Sequence, residues 1–120
     1  MVKLLAKVEE ILKKYDLNDL IECKLAKNGD YLDCPDLITK YRKFIPRGWY
    51  GFAMDDIKTW TYALDEVLAL LTKEDPDFEI HQIKTKFGGL RFYVESDVIE
   101  DLMEIESAIE DSMYDESLIY

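Results

Sequence analysis

Side chains able to carry out catalysis or bind a metal are few in this chain: Cys23, Cys34 and a single histidine, His81. A cysteine beside a histidine can act as a nucleophile. Strand alternation, however, predicts that all three point toward a core, with the cysteines and His81 in separate hairpins. One histidine and no Cys-x-x-Cys pair supply no zinc ligand set. The sequence therefore predicts no enzyme, no catalytic residue, no metal and no cofactor.

Carboxylates are the most abundant functional groups, and they are unevenly distributed. Residues 95–120 hold ten acidic side chains and no Lys or Arg, whereas residues 1–94 carry 15 basic and 16 acidic groups. Almost all of the formal net charge of −11 therefore belongs to one segment. The spacing fits no EF-hand loop. Such asymmetry favours an acidic surface that engages a basic partner, and a solvated helix face is the alternative interpretation.

The acidic segment has the apolar period of a helix, which we predict over about residues 97–114. Its buried stripe is expected to hold Val98, Leu102, Ile105, Ile109 and Met113. Glu100, Glu104 and Asp111 are expected to project away from that stripe. We predict a partner-binding role for six carboxylates of this segment: Asp97, Glu100, Asp101, Glu104, Glu110 and Asp111.

Two glycine-containing turns predict β-hairpins. The first, over residues 21–33, turns at Asn28-Gly29, the dipeptide typical of a two-residue hairpin loop. Its register places Cys23 opposite Cys34 on the core face. We expect both to be reduced, buried thiols, because a free cysteine packs as a small hydrophobe.

The second hairpin, over residues 78–95, is predicted to turn at Gly88-Gly89. Its register places Lys86 opposite Arg91 and Lys84 opposite Tyr93, on the face away from the core. Like charges directly across a ladder are unfavourable. We therefore expect the basic patch of Lys84, Lys86 and Arg91 to meet an anion or an acidic side chain.

Two further helices and a long loop complete the predicted order. Apolar residues from Leu4 to Tyr15 recur at helical spacing, and a second helix capped at Asp55 or Asp56 is predicted to run to about Lys73. Residues 35–51 are predicted to be irregular, with Trp49 filling the core beneath the loop; base stacking by this aromatic, basic loop is the alternative. The result is a single α+β domain over residues 1–120: helix, hairpin, loop, helix, hairpin and helix, with antiparallel strands.

Composition limits the partners. The sequence pI is about 4.5, and phosphate contacts need a basic footprint, so direct binding of nucleic acid is not expected. The charged first ten residues do not fit a signal peptide. No stretch approaches the roughly 18 apolar residues that span a membrane. We expect a soluble protein of the cytoplasm with no membrane partner.

The stretch from Gln82 to Val94 contains the sequence Lys-Phe-Gly-Gly-Leu-Arg-Phe-Tyr-Val, with Gly48-Trp49 upstream. It resembles a family of small uncharacterised proteins of bacteriophages and bacterial genomes, over roughly residues 46–95. Many relatives continue into a cysteine-bearing segment, where this chain has an acidic, cysteine-free helix. The resemblance implies a phage or mobile-element context, in which small acidic proteins often inhibit host defence nucleases. It transfers no catalytic residue.

Together these features predict a non-enzymatic, phage-type inhibitor of the anti-CRISPR kind. Its partner is expected to be a basic host protein that processes nucleic acid, contacted through the acidic surface as a nucleic-acid mimic. One alternative is a small-ligand or nucleotide-binding module that uses Lys84, Lys86, Arg91 and the aromatic loop. Another is an antitoxin-like or structural partner whose acidic helix only maintains solubility.

Overall fold

A computed structural model describes residues 1–15, 37–49, 51–53 and 59–114. These ranges contain four α-helices and three strands in the order α1 (Leu5–Lys13), α2 (Leu37–Lys40), β1 (Gly51–Ala53), α3 (Thr59–Glu74), β2 (Glu79–Lys86), β3 (Gly89–Glu95) and α4 (Leu102–Ser112). The fold is α+β, as the sequence predicts. Within the described ranges, no helix has the length and apolarity needed to cross a membrane. The predicted first hairpin, with Cys23 facing Cys34, lies outside the described residues, as does the predicted cap at Asp55 or Asp56.

The three strands form one sheet in the order β1-β2-β3. β2 and β3 are antiparallel, whereas β1 pairs with β2 in parallel, with Phe52 opposite Ile83. Parallel neighbours need a crossover connection, and α3 lies between β1 and β2 in the chain. The prediction of purely antiparallel strands is therefore wrong. A strand of three residues is too short for its alternation to be recognised in the sequence.

A single hydrophobic cluster joins the helices to the sheet. The second predicted helix corresponds to α3, and the apolar residues that recur along it at helical spacing are buried: Trp60, Leu64, Val67, Leu68 and Leu71. Burial of such side chains is the main favourable term in folding. The largest fully buried side chains are Trp60, Leu64, Leu68 and Leu71 of α3, Phe78 just before β2, Ile80, Ile83, Leu90 and Phe92 of the sheet, Val8 of α1, and Ile105 and Ile109 of α4.

Two adjacent acidic residues of α3 hold neighbouring segments against it. Asp65 accepts a hydrogen bond from the hydroxyl of Tyr41 at 2.7 Å, and Glu66 accepts one from the hydroxyl of Tyr15 at 2.6 Å. Lys14 also pairs with Glu66. Burial, together with the hydrogen bond to Glu66, raises the pKa of Tyr15 to about 12. Hydrogen bonds from Lys14 and Tyr15 hold the pKa of Glu66 below its ordinary value.

The segment predicted to be irregular contains α2 and a 3-10 helix, Arg42–Phe44. Tyr41 and Phe44, three residues apart, are buried in the core. Trp49 is 51% exposed, so the prediction that it fills the core is wrong. Tyr41 and Phe44 supply that aromatic volume instead. The ring of Trp49 stacks on that of His81, with centroids 4.5 Å apart and planes inclined by 7°.

Candidate functional site

The acidic helix begins at Leu102, five residues later than predicted. A turn precedes it, in which the hydroxyl of Ser96 accepts the backbone N–H groups of Val98 and Ile99. Such side-chain bonds satisfy amides outside a helix and so compete with helix formation. Ile99 bridges Val2 and is buried, while Val98 is exposed. The prediction that Val98 belongs to the buried stripe is therefore wrong, and Ile99 occupies the core.

The rest of the predicted two-sided helix is confirmed. Ile105, Ile109 and Met113 are buried, and Leu102 is partly buried against the same core. On the opposite side Met103 is 78% exposed.

Among the carboxylates that the structure describes between residues 97 and 114, four are exposed, and we call them the acidic face: Asp97, Glu100, Glu104 and Asp111. Glu104 and Asp111 lie seven residues apart on α4, or about 10 Å along its axis. In the described ranges these four side chains enter none of the ion pairs. The charges of the acidic face are therefore not compensated by that part of the molecule.

Asp101, predicted to bind a partner, is occupied within the molecule. Its two carboxylate oxygens accept the backbone N–H groups of Leu4 and Leu5 at 3.0 and 2.9 Å. These are amides at the start of α1, where a helix has no internal acceptors, and Leu4 offers no capping side chain. Asp101 therefore caps a helix almost 100 residues away in the chain. Burial opposes its charge, but the bonds from Leu4 and Leu5 outweigh this effect and hold the pKa of Asp101 below its ordinary value.

We expect Asp101→Asn to lower the free energy of unfolding at pH 7 by about 1–2 kcal/mol, because the amide keeps one acceptor oxygen but loses the second acceptor and the negative charge. Because the folded-state pKa is lowered, the stabilisation is present above the unfolded pKa near 4 and is lost as pH falls through the folded value. The difference between wild type and Asp101→Asn in urea denaturation should thus shrink below about pH 4. Asp97→Asn, which removes an exposed carboxylate nearby, should change stability by less than about 0.5 kcal/mol. Equal effects of the two variants would contradict the cap.

Glu110, also predicted to bind a partner, faces the sheet. One of its carboxylate oxygens lies 3.8 Å from the guanidinium of Arg91, on β3. Its neighbour Glu106 interacts with the backbone amide of Val94, also on β3. Burial raises the pKa of Glu106, the Val94 amide opposes this, and the charge of Glu110 adds to it. Both carboxylates therefore attach α4 to β3 and are not part of the acidic face.

The turn between β2 and β3 lies one residue earlier than predicted, at Phe87-Gly88. Lys86 pairs with Gly89, and both turn residues have positive φ, 50° and 77°. Two positive φ values are typical of a type I′ hairpin turn. A Cβ on Gly89 would lie 3.2 Å from the ring of Tyr114, the last residue that the structure describes. The lack of a side chain at Gly89 therefore lets Tyr114 approach the strand closely. A turn at Gly88-Gly89 with Lys86 on the outer face would put Phe87 on the core face, but in the structure Phe87 is 74% exposed.

The predicted basic patch stays on one face, with altered partners. Lys84, rather than Lys86, lies opposite Arg91. Moving the turn by one residue shifts the partner of each residue by two positions along the opposite strand. Side chains alternate with a period of two, so each residue keeps its predicted face of the sheet. The ammonium of Lys84 lies 5.9 Å from the ring centroid of Tyr93, and Arg91 pairs with Glu110. Part of the patch therefore already has partners within the molecule.

His81, predicted to face the core, lies on the outer face of the sheet. The register is irregular between Ile80 and Gln82, which places His81 at a β-bulge. The extra residue breaks the alternation, so Ile80 is fully buried while His81 contacts Glu79 and Glu95. The sequence gives no signal for a bulge here, so this cluster was not predicted.

A buried carboxylate joins the end of α3 to the turn before α4. Asp75, 2% exposed, accepts the hydroxyl of Ser96 at 2.5 Å and the backbone N–H of Asp77 at 2.9 Å. Because the same Ser96 hydroxyl accepts hydrogen bonds from the amides of Val98 and Ile99, Asp75 positions the turn that precedes α4.

The described surface thus offers three candidates for function: the acidic face, the basic patch and the cluster around His81. No protein-family model, curated protein or solved structure matches this chain.

Proposed function

We propose that this chain is a non-enzymatic inhibitor that binds a basic, nucleic-acid-processing protein through the acidic face, as a nucleic-acid mimic. The observation that carries the proposal is the solvent exposure of Asp97, Glu100, Glu104 and Asp111 on a segment without a single Lys or Arg. Like charges grouped on one surface repel one another. A basic partner would relieve that repulsion, and the complementary fields would steer the two proteins together.

The support of the helix fits this role. Ile105 and Ile109 bury the inner side of α4, and Asp101 and Glu110 fix its ends to α1 and β3. Glu104 and Asp111 are thereby presented on a rigid helix, as phosphates are on a duplex, and Asp97 and Glu100 lie in the segment that leads into it. Phosphates follow each other more closely, about 3.4 Å apart along each strand. The acidic face therefore suits a partner protein whose groove binds a few phosphates of a nucleic acid, rather than one that binds a long duplex.

An exposed apolar side chain distinguishes the acidic face from a merely solvated one. Met103, 78% exposed, lies beside Glu104. Methionine is enriched in protein interfaces, where a flexible apolar side chain adapts to the partner. This supports a protein partner. We propose that this partner is a cytoplasmic protein of a bacterial host, in line with the phage context that the resemblance over residues 82–94 implies.

The test is a triple neutralisation, Glu100→Gln, Glu104→Gln and Asp111→Asn, which changes the formal net charge from −11 to −8. Binding to proteins captured from a bacterial lysate should fall about tenfold or more at low salt, since three lost charge pairs cost at least about 1.4 kcal/mol. Wild-type binding should weaken steeply with salt, and duplex DNA should compete for the captured protein. Circular dichroism should show an unchanged fold.

A matched control removes the same charge elsewhere. Glu9, Glu10 and Asp77 are exposed and lie outside the acidic face, and Glu9→Gln, Glu10→Gln with Asp77→Asn also gives a net charge of −8. We expect this control to retain binding. An equal loss of binding in both triple variants would show that binding depends on total charge. No loss of binding in either variant would refute the acidic face as the binding surface.

A nucleotide- or ligand-binding module on the basic patch is the second candidate. It is favoured by the 74% exposure of Phe87, a bulky residue held at a left-handed φ of 50° beside Lys86. Such strain often accompanies a functional role. This candidate predicts the reverse pattern: loss of binding in Lys84→Glu with Lys86→Glu, and indifference to the triple neutralisation.

A further inference from the structure

Three potential ligands converge on the outer face of the β2–β3 hairpin, at the end away from its turn. The Nε2 atom of His81 lies 3.1 Å from Oε1 of Glu79 and 3.6 Å from Oε2 of Glu95. One ligand atom from each of the three residues can be chosen so that all lie within 4.8 Å of one another. The three residues come from two strands and belong to none of the surfaces assigned to the proposed function.

The local backbone brings them together. Glu79 and Glu95 are directly opposite in the ladder, and the bulge at His81 turns the imidazole to the same outer face. The ring of Trp49 stacks on that imidazole and limits its rotation. The side chain of His81 is only 21% exposed, whereas those of Glu79 and Glu95 are 47% and 63% exposed. An ion could therefore reach the cluster from solvent and find the histidine already oriented.

The electrostatics of the cluster favour a cation. Two carboxylates directly across a ladder destabilise it when nothing lies between them. In the described structure the only cationic group that pairs with Glu79 or Glu95 is His81, which is cationic only when protonated. A divalent ion between the carboxylates would neutralise both charges while binding neutral imidazole.

The distances suit a transition metal. Zinc–nitrogen and zinc–oxygen bonds are about 2.0–2.2 Å long, so ligand atoms in a tetrahedral site lie about 3.4 Å apart. The 3.1 and 3.6 Å separations around His81 bracket that value, and the full set of three ligand atoms lies within 4.8 Å, so the exposed carboxylates need only a side-chain rotation to close around an ion. An imidazole among the ligands favours zinc-like ions over magnesium or calcium, which prefer oxygen alone.

We propose that Glu79, His81 and Glu95 bind one divalent transition-metal ion of the zinc type. Three protein ligands leave at least one coordination position open to water or to a group on another molecule. The site is independent of the acidic face, so either proposal stands if the other fails.

The test is calorimetric titration with Zn²⁺, with Co²⁺ absorption as a spectroscopic probe of the ligands. Wild type should bind one ion per chain. His81→Gln and Glu95→Gln should each weaken binding by about tenfold at the least, since even outer-shell partners of metal ligands contribute that much. Glu10→Gln, which removes an exposed carboxylate outside both proposed sites, is the matched control and should bind Zn²⁺ as wild type does. Circular dichroism without metal verifies that each variant is folded.

Co²⁺ distinguishes this site from the cysteines. Oxygen and nitrogen ligation gives no thiolate charge-transfer band, and Cys23→Ser with Cys34→Ser should leave binding unchanged. Quenching of Trp49 fluorescence by Co²⁺, absent in Trp49→Phe, should report an ion beside the stacked ring. The proposal would be overturned by unchanged affinity in folded His81→Gln, by loss of binding in the cysteine double variant, or by equal weakening in Glu10→Gln.

Discussion

Ile109→Ala is expected to lower the free energy of unfolding by about 3 kcal/mol. Ile109 is fully buried on the inner side of α4, which packs along β3. Alanine would remove three carbon atoms, losing their transfer free energy and leaving a cavity that a packed core closes only in part. Urea denaturation followed by circular dichroism measures the change, and the slope of the transition should stay that of wild type.

Met103→Ala is the control on the same helix. Its side chain is 78% exposed, so the same kind of truncation should change stability by less than about 0.5 kcal/mol. Partner binding should respond differently from stability: Met103→Ala should weaken binding although the protein remains as stable as wild type. Equal stability losses at positions 103 and 109 would show that the two sides of α4 are assigned wrongly.

Asp75→Ala is expected to cost about 2–3 kcal/mol of stability, because hydrogen bonds to a charged acceptor contribute about 1.5–3 kcal/mol each and part of this is returned by removing a buried charge. The variant leaves the hydroxyl of Ser96 without its acceptor, and Ser96 positions the turn that leads to α4. Thermal unfolding should show a lower midpoint, and amide exchange should increase at Val98 and Ile99 in particular.

Two variants separate the role of this carboxylate from that of charge in general. Asp77→Ala removes an exposed acidic side chain two residues away and should be nearly neutral. Ser96→Ala should reproduce part of the effect, and combining it with Asp75→Ala should add little, because the two residues share one interaction. Additive losses would contradict the bond between them.

Helices were the most predictable part of the fold. The apolar residues of α1 and α3 repeat at helical spacing without interruption, and the same residues are buried in the structure: Leu4, Val8, Leu12, Trp60, Leu64, Val67, Leu68 and Leu71. Their period alone specifies the side that meets the core. The start of α4 was placed too early because the period continues through residues 98–101, although the hydroxyl of Ser96 takes two amides that a helix would need.

Strand pairing was less predictable, because register depends on positions that leave little trace in composition. Gly88-Gly89 indicates a turn, but the second glycine serves close contact with Tyr114, and Phe87 takes a turn position that bulky residues rarely occupy. The bulge at His81 inverts the alternation beyond it. The parallel pairing of β1 depends on the crossover through α3, a long-range relation that no local pattern encodes.

Charge pattern identified the acidic segment but could not divide its carboxylates by role. Glu100, Glu104 and Asp111 are exposed as expected. Asp101 and Glu110 are bound to α1 and β3, and only the packing of α4 decides this. The cluster of Glu79, His81 and Glu95 was missed for a related reason, since its members come together through a cross-strand pair and a bulge.

The cap that Asp101 provides to α1 sets a time constraint on folding during synthesis. Leu4 and Asp101 are 97 positions apart, which a ribosome adding about 5–20 residues per second covers in about 5–20 s. A helix of nine residues is marginal by itself in water. Although α1 is translated long before residue 101, it is therefore among the last described elements to become stable, and a nascent chain interrupted before residue 101 would expose its apolar stripe to chaperones and proteases.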